Sequence, residues 1–254
     1  MSLTERLTNM FVAPGEVFDE VKKTAPSGAN WLTPALIFIL ISWVGGYFIF
    51  SQEAIRSQVT EMAEQSINKQ LAKMEKTRKT PLSNEEADKI REMGTKWAVP
   101  GSVIGFMFTS LVVAFIVPFW GGLVVWLVGT KVFKGAFPYM KGVEVAGLAA
   151  TINGLEALVR VLLILVLGNL LASTSLALLV KNINPQNPTF SLLAAFNIMT
   201  FWGLAVRSVG LSRLSGASFG KAAAWVFGIW ALVTAVFVGF SAAMQAVGKQ
   251  LGGG

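Results

Sequence analysis

The sequence has no cysteine and no histidine. Their absence removes thiol nucleophiles, disulfides, thiolate-bound haem and imidazole bases, together with nearly all zinc and copper sites. Charge is scarce too, at 14% of residues against 54% hydrophobic. The scarcity is local. No Asp, Glu, Lys or Arg occurs in residues 24–52, 97–130, 161–180, 182–206 or 222–248. About 20 residues rising 1.5 Å each cross a hydrocarbon core of about 30 Å, so apolar runs beyond about 18 residues predict membrane-spanning helices. The fold class expected is therefore all-α: a polytopic bundle of five transmembrane helices, with an amphipathic N-terminus and an extramembrane helical hairpin.

Net charge is +7. The bases of the segment from Arg56 to Lys96 are interleaved with acids, and no basic stripe with stacking aromatics occurs, so a nucleic-acid partner is not expected. The phosphate-cradling patterns GxGxxG and GxxxxGK[ST] are absent, and Ser173-Thr174-Ser175 has no base to activate a hydroxyl. These gaps predict no enzyme, catalytic residues, cofactor or metal site.

Residues 1–30 carry charge throughout Met1 to Lys23 with no apolar core, which predicts no signal peptide. Ser2 with Glu5 has capping-box spacing ahead of Leu3, Leu7, Met10 and Phe11. Pro14 suits the first turn of a second short helix with Val17, Phe18 and Val21 on one face. Such segments lie in the headgroup plane or against the bundle.

The expected spans are Leu32 to Phe50, a stretch within Ala98 to Thr130 that is tilted or kinked near Pro118, a third starting near Val143, then Leu192 to Val209 and Ala222 to Met244, the last introduced by Ser218. A single helix from Val143 to Val180 would be about 57 Å long, too much for one crossing. A break is needed at Asn153-Gly154 or at Gly168-Asn169. The second is preferred, and it places Glu156 and Arg160 inside the membrane.

The positive-inside rule sets the orientation. With the N-terminus inside, the inner segments hold Arg6, Lys22, Lys23, Lys131, Lys134, Lys141, Arg207, Arg213 and Lys221, whereas the short outer ones hold Lys181 and Lys249. Five spans then put the C-terminus outside a bacterial inner membrane.

Residues 51–97 form the extracytoplasmic insertion. Ile55, Val59, Met62, Ile67, Leu71 and Met74 repeat at helical spacing, Thr80-Pro81 stops the helix, and Ser83 with Glu86 starts another. A hairpin is expected, its first arm continuous with the first span. Its apolar stripe serves either self-packing or partner docking.

Asn153, Glu156 and Arg160 form a candidate intramembrane polar cluster, either a relay or a self-neutralised i, i+4 pair that fixes packing. The second reading is preferred. Gly101, Gly105, Gly147, Ala150, Thr151 and Gly154 are candidate small-residue packing positions, within the chain rather than between copies.

Pro14-Gly15-Glu16-Val17-Phe18, then Trp31-Leu32-Thr33-Pro34, then Phe133-Lys134-Gly135-Ala136-Phe137 lead to a last stretch containing Trp202, Gly210, Gly216, Ser218 and Lys221. In this order they resemble bacterial members of the Yip1-domain family, over most of residues 1–254 apart from the insertion. The resemblance implies one five-span membrane domain with a cytosolic N-terminus and no catalytic residues. It also implies an adaptor role, since some bacterial relatives accompany ABC-type exporters. The expected partners are the lipid bilayer and another membrane protein or a second copy. The alternative is a small transporter or channel using the Asn153, Glu156 and Arg160 cluster.

Overall fold

The computed structural model describes residues 1–77, 82–180 and 188–252. Thr80-Pro81 and Lys181 lie outside the described residues. The chain is helical: α1 (Leu3–Asn9), α2 (Pro14–Lys23), α3 (Ala29–Ser51), α4 (Glu53–Thr77), α5 (Asn84–Leu127), α6 (Tyr139–Ala149), α7 (Thr151–Leu167), α8 (Pro188–Ala195), α9 (Ile198–Ser215) and α10 (Phe219–Gly252). Among the described residues the only β pairing is an isolated bridge between Ser175 and Asn197.

Among the described residues four stretches are long and apolar enough to cross a membrane: Ala29–Ser51, Asn84–Val132, Tyr139–Leu167 and Phe219–Met244. The expected span over Leu192 to Val209 is not one of them. It is broken at Phe196-Asn197 into α8 and the 18-residue α9, where the Asn197 side chain accepts from the Met199 N–H as an N-cap.

The third expected span ends at Gly168, which takes φ +59°, a left-handed conformation open to glycine without a Cβ penalty. Asn153-Gly154 stays helical; the only irregularity is the join of α6 to α7 at Ala150.

The N-terminal helices begin as the sequence predicts. Ser2 and Glu5 form the capping box of α1, and Pro14 opens α2. Val17, Phe18 and Val21 are fully buried against the bundle rather than facing a membrane surface. α2 packs on α9 and α6, and Lys22 donates to the Arg213 carbonyl at 2.9 Å.

The helix expected to run unbroken from the first span into the hairpin is interrupted at one residue. Gln52 is extended, with ψ 130°, between α3 and α4. The turn swings α4 over the end of α7. Gln58 donates to the Gly168 carbonyl at 2.6 Å and accepts from the Leu170 N–H at 3.1 Å. Ile55 and Val59 join Ile49, Val161, Ile164 and Ala172 in a small core there. The second arm is the N-terminal part of α5, begun by the Ser83–Glu86 capping box and continuous with its span through Pro100 and Pro118.

α6 is the centre of the bundle. Every residue from Lys141 to Ala149 is buried, so it has no lipid-facing side. Close approach comes from glycine at one crossing: a Cβ on Gly122 would stand 2.7 Å from the Val143 backbone. Gly147 lies against Trp31 and Asn30 in the same way. Gly154 makes only ordinary contact with Ile37, at 3.8 Å, and Ala150 and Thr151 are half-buried. Gly101 and Gly105 are not packing sites within the chain, because a Cβ on either would meet nothing within 4 Å. α10 packs on α8 and α9, and most of its described residues are exposed or half-buried.

Candidate functional site

Two polar constellations lie within the bundle. The first joins the N-terminal helices to α3 and α6. Glu144 is fully buried; its Oε1 accepts from the Asn30 Nδ2 at 2.6 Å and the Ser27 N–H at 2.9 Å. Its Oε2 lies 2.7 Å from the Lys141 ammonium, an ion contact at an angle outside hydrogen-bonding geometry. Lys141 also donates to the Val21 carbonyl at 2.5 Å. On the other side Arg6 donates to Asn30 Oδ1 at 3.2 Å and to Glu20 at 2.5 Å, and the N-terminal ammonium bonds Glu20. The chain of bonds thus returns to α2 at Val21, next to Glu20. The N-terminal ammonium, then Arg6, hold the Glu20 carboxyl below the ordinary range. Every buried charge here has an opposite partner, which marks a structural clamp. By sequence alone Lys141 stands among the loop bases, and nothing pairs it with Glu144. An isolated acid inside an apolar helix was the signal available.

The second constellation surrounds a cavity of about 720 Å³ between α3, α5, α7, α9 and α10. Asn153, Glu156 and Arg160 all line it, so the structure brings the expected cluster together. It does not form the expected ion pair. Glu156 Oε1 instead accepts from Asn197 Nδ2, at the break before α9. Asn197 Oδ1 accepts in turn from Thr174 at 2.8 Å. Arg160 is exposed and makes no ion pair or hydrogen bond among the described residues.

Arg207 is the cavity residue the sequence reading missed, since it stands at the end of an uncharged run and read as an interfacial base. It reaches the cavity from α9 and lies beside Gly121. Its Nε is buried without a partner. The walls otherwise combine Ser42, Thr109, Ser110 and Thr200 with apolar groups such as Phe38, Phe106 and Trp230. Among the described residues no three acidic side chains gather to hold a metal ion.

The expected docking stripe mostly faces inward, Ile55 and Val59 toward the bundle and Ile67 toward the second arm. Ile55, Val59 and Leu71 are buried, Ile67 lies against Gly94, Met74 is half-buried and Met62 is exposed. In the C-terminal motif, Trp202 meets Phe11 edge-on at 5.8 Å and Gly210 lies under Val145 and Phe18. Gly216 ends α9 at φ +77°, and Ser218 and Lys221 are exposed where α10 begins. Of these, Trp202 and Gly210 seat α9 on the N-terminal helices.

No curated protein and no solved structure matches the chain. A family model described as the Yip1 domain matches residues 8–240, which takes in α2 to α9 and most of α10. The chain is therefore a membrane protein of the Yip1-domain family.

Proposed function

We propose that the protein is a non-enzymatic membrane adaptor that engages another integral membrane protein, such as an ABC-type exporter, through its hairpin. The observation that carries this reading is the length and finish of that hairpin. α4 has 25 residues, about 38 Å of helix, where a connection between spans needs only a few residues. Its arms close on each other through Ile67, Gly94 and the Arg91–Asn68 hydrogen bond, so its outer faces are charged and suit a polar partner surface.

In this reading the protein lies in a bacterial inner membrane, N-terminus inside and C-terminus outside. α9 supports the fifth crossing. Its C-terminal end packs on α2 beside the start of α3, and α10 then leads away from that side. The test replaces residues 63–90 with a short flexible linker, keeping Ile55, Gln58 and Val59. The shortened protein should insert and remain folded, yet lose the membrane partner captured by crosslinking in native membranes. Retention of every partner refutes the docking role.

The cavity favours one second reading, a small transporter using Asn153, Glu156 and Arg160. Flux of small anions in reconstituted vesicles, abolished by Glu156→Gln, would establish it against the adaptor.

A further inference from the structure

We infer that the cavity is a binding site for an anionic lipid, drawn in by the two unpaired guanidiniums of its lining, Arg207 and Arg160, with an acyl chain lying along the apolar wall. The inference is independent of the adaptor and transport readings, since it requires neither a protein partner nor flux.

The argument begins with charge. Arg160 and Arg207 face one acid, Glu156, across the lining, and that acid already accepts from Asn197. A guanidinium does not shed its proton in a protein, and a buried one without a counter-ion is costly. Neither arginine has a hydrogen bond or ion pair among the described residues, and Arg207 Nε has no access to solvent. Elsewhere in the same bundle, at Lys141 and Glu144, burial comes with pairing. The two arginines are thus donors without an acceptor, in the fork geometry that suits phosphate oxygens.

The walls select the rest of the ligand. Phe38, Phe106, Val113, Val117, Ile164 and Trp230 give an apolar surface fit for a hydrocarbon chain. The site is not sealed, because Arg160 is exposed and the lining residue Trp120 is 52% exposed. A ligand can enter sideways from the bilayer. The volume of about 720 Å³ falls within the roughly 300–1,000 Å³ common for small-ligand sites. A water-soluble anion would leave the aromatic wall unused, and a zwitterionic lipid would bring its own cation, leaving the two guanidiniums without net compensation.

The test uses the full chain in neutral detergent, with bound lipid counted by native mass spectrometry. The probes are phosphatidic acid, phosphatidylcholine and inorganic phosphate. One phosphatidic acid should bind with about tenfold or greater preference over phosphatidylcholine, and inorganic phosphate should not displace it. Losing one charge-assisted contact should weaken binding by about tenfold or more, so Arg207→Gln and Arg160→Gln should each do so. Lys221→Gln, an exposed base outside the cavity, should leave binding unchanged. Arg160→Gln carries the test if Arg207→Gln misfolds, because Arg160 lies exposed at the cavity edge. Equal retention of the two lipids, no effect of Arg160→Gln, or an equal loss with Lys221→Gln overturns the site. Displacement by inorganic phosphate overturns the lipid and leaves a simple anion pocket.

Discussion

The Lys141–Glu144 pair should be strongly coupled in folding. Glu144 is fully buried and the Lys141 side chain is 5% exposed, with 2.7 Å between ammonium and carboxylate. Glu144→Gln keeps an acceptor for Ser27 and Asn30 but strands the Lys141 charge with only the Val21 carbonyl. Lys141→Met strands the carboxylate with two neutral donors. Each single change leaves one buried charge uncompensated, a loss of about 3–5 kcal/mol. The double change removes both charges and mainly forfeits the bond to Val21, about 1–2 kcal/mol. The cycle should therefore show a coupling of several kcal/mol, where independent sites add to within about 0.5 kcal/mol. Unfolding of the four proteins in one detergent, followed by circular dichroism, measures it. Additive single effects would refute the argument and mean that water reaches the pair.

Glu156→Ala and Arg160→Ala should behave differently, with single effects that nearly add, because the two side chains form no ion pair; a coupling above about 1 kcal/mol in the same cycle would contradict this. Gly122→Ala should cost about 1–3 kcal/mol, since its Cβ would meet the Val143 backbone, whereas Gly101→Ala should be neutral or slightly stabilising; melting temperatures compare the two. A depressed carboxylate contributes stability above its unfolded value, about 4.3, and loses it as pH falls through the lower folded value. Docking of α1 and α2 should accordingly loosen on acidification below about pH 4, with Glu20→Gln flattening the effect; the methyl NMR line of the buried Met10 reports it. Reporter fusions after Lys23 and at the C-terminus should locate to opposite sides of the membrane, and the same side for both would make α8 and α9 a re-entrant segment.

Local signals carried well from sequence to structure. Both capping boxes, Pro14 at the head of α2 and the left-handed stop at Gly168 depend on a few neighbouring residues, and each is where the spacing puts it. Features that depend on distant partners did not carry. Gln52 breaks a helix that its own neighbours favour, because Gln58 must reach Gly168, 110 positions away. The pattern Gly101-xxx-Gly105 has the form of a packing motif but no helix opposite it, while Gly122 works only through its meeting with Gly142 and Val143. In the candidate site, Glu156 and Arg160 were legible as charges at membrane depth. Arg207 and Asn197 were not, since α9's break and burial decide where they point.

The bond from Gln58 to Gly168 has a thermodynamic consequence. It joins the foot of the hairpin to the turn that carries Leu170 and Leu171, and both of these line the cavity. An event outside the bilayer that displaces α4 must either break those bonds or move the cavity wall. Linkage then works in both directions: whatever factor a bound partner imposes on the affinity of the cavity, an occupied cavity imposes on the affinity for that partner.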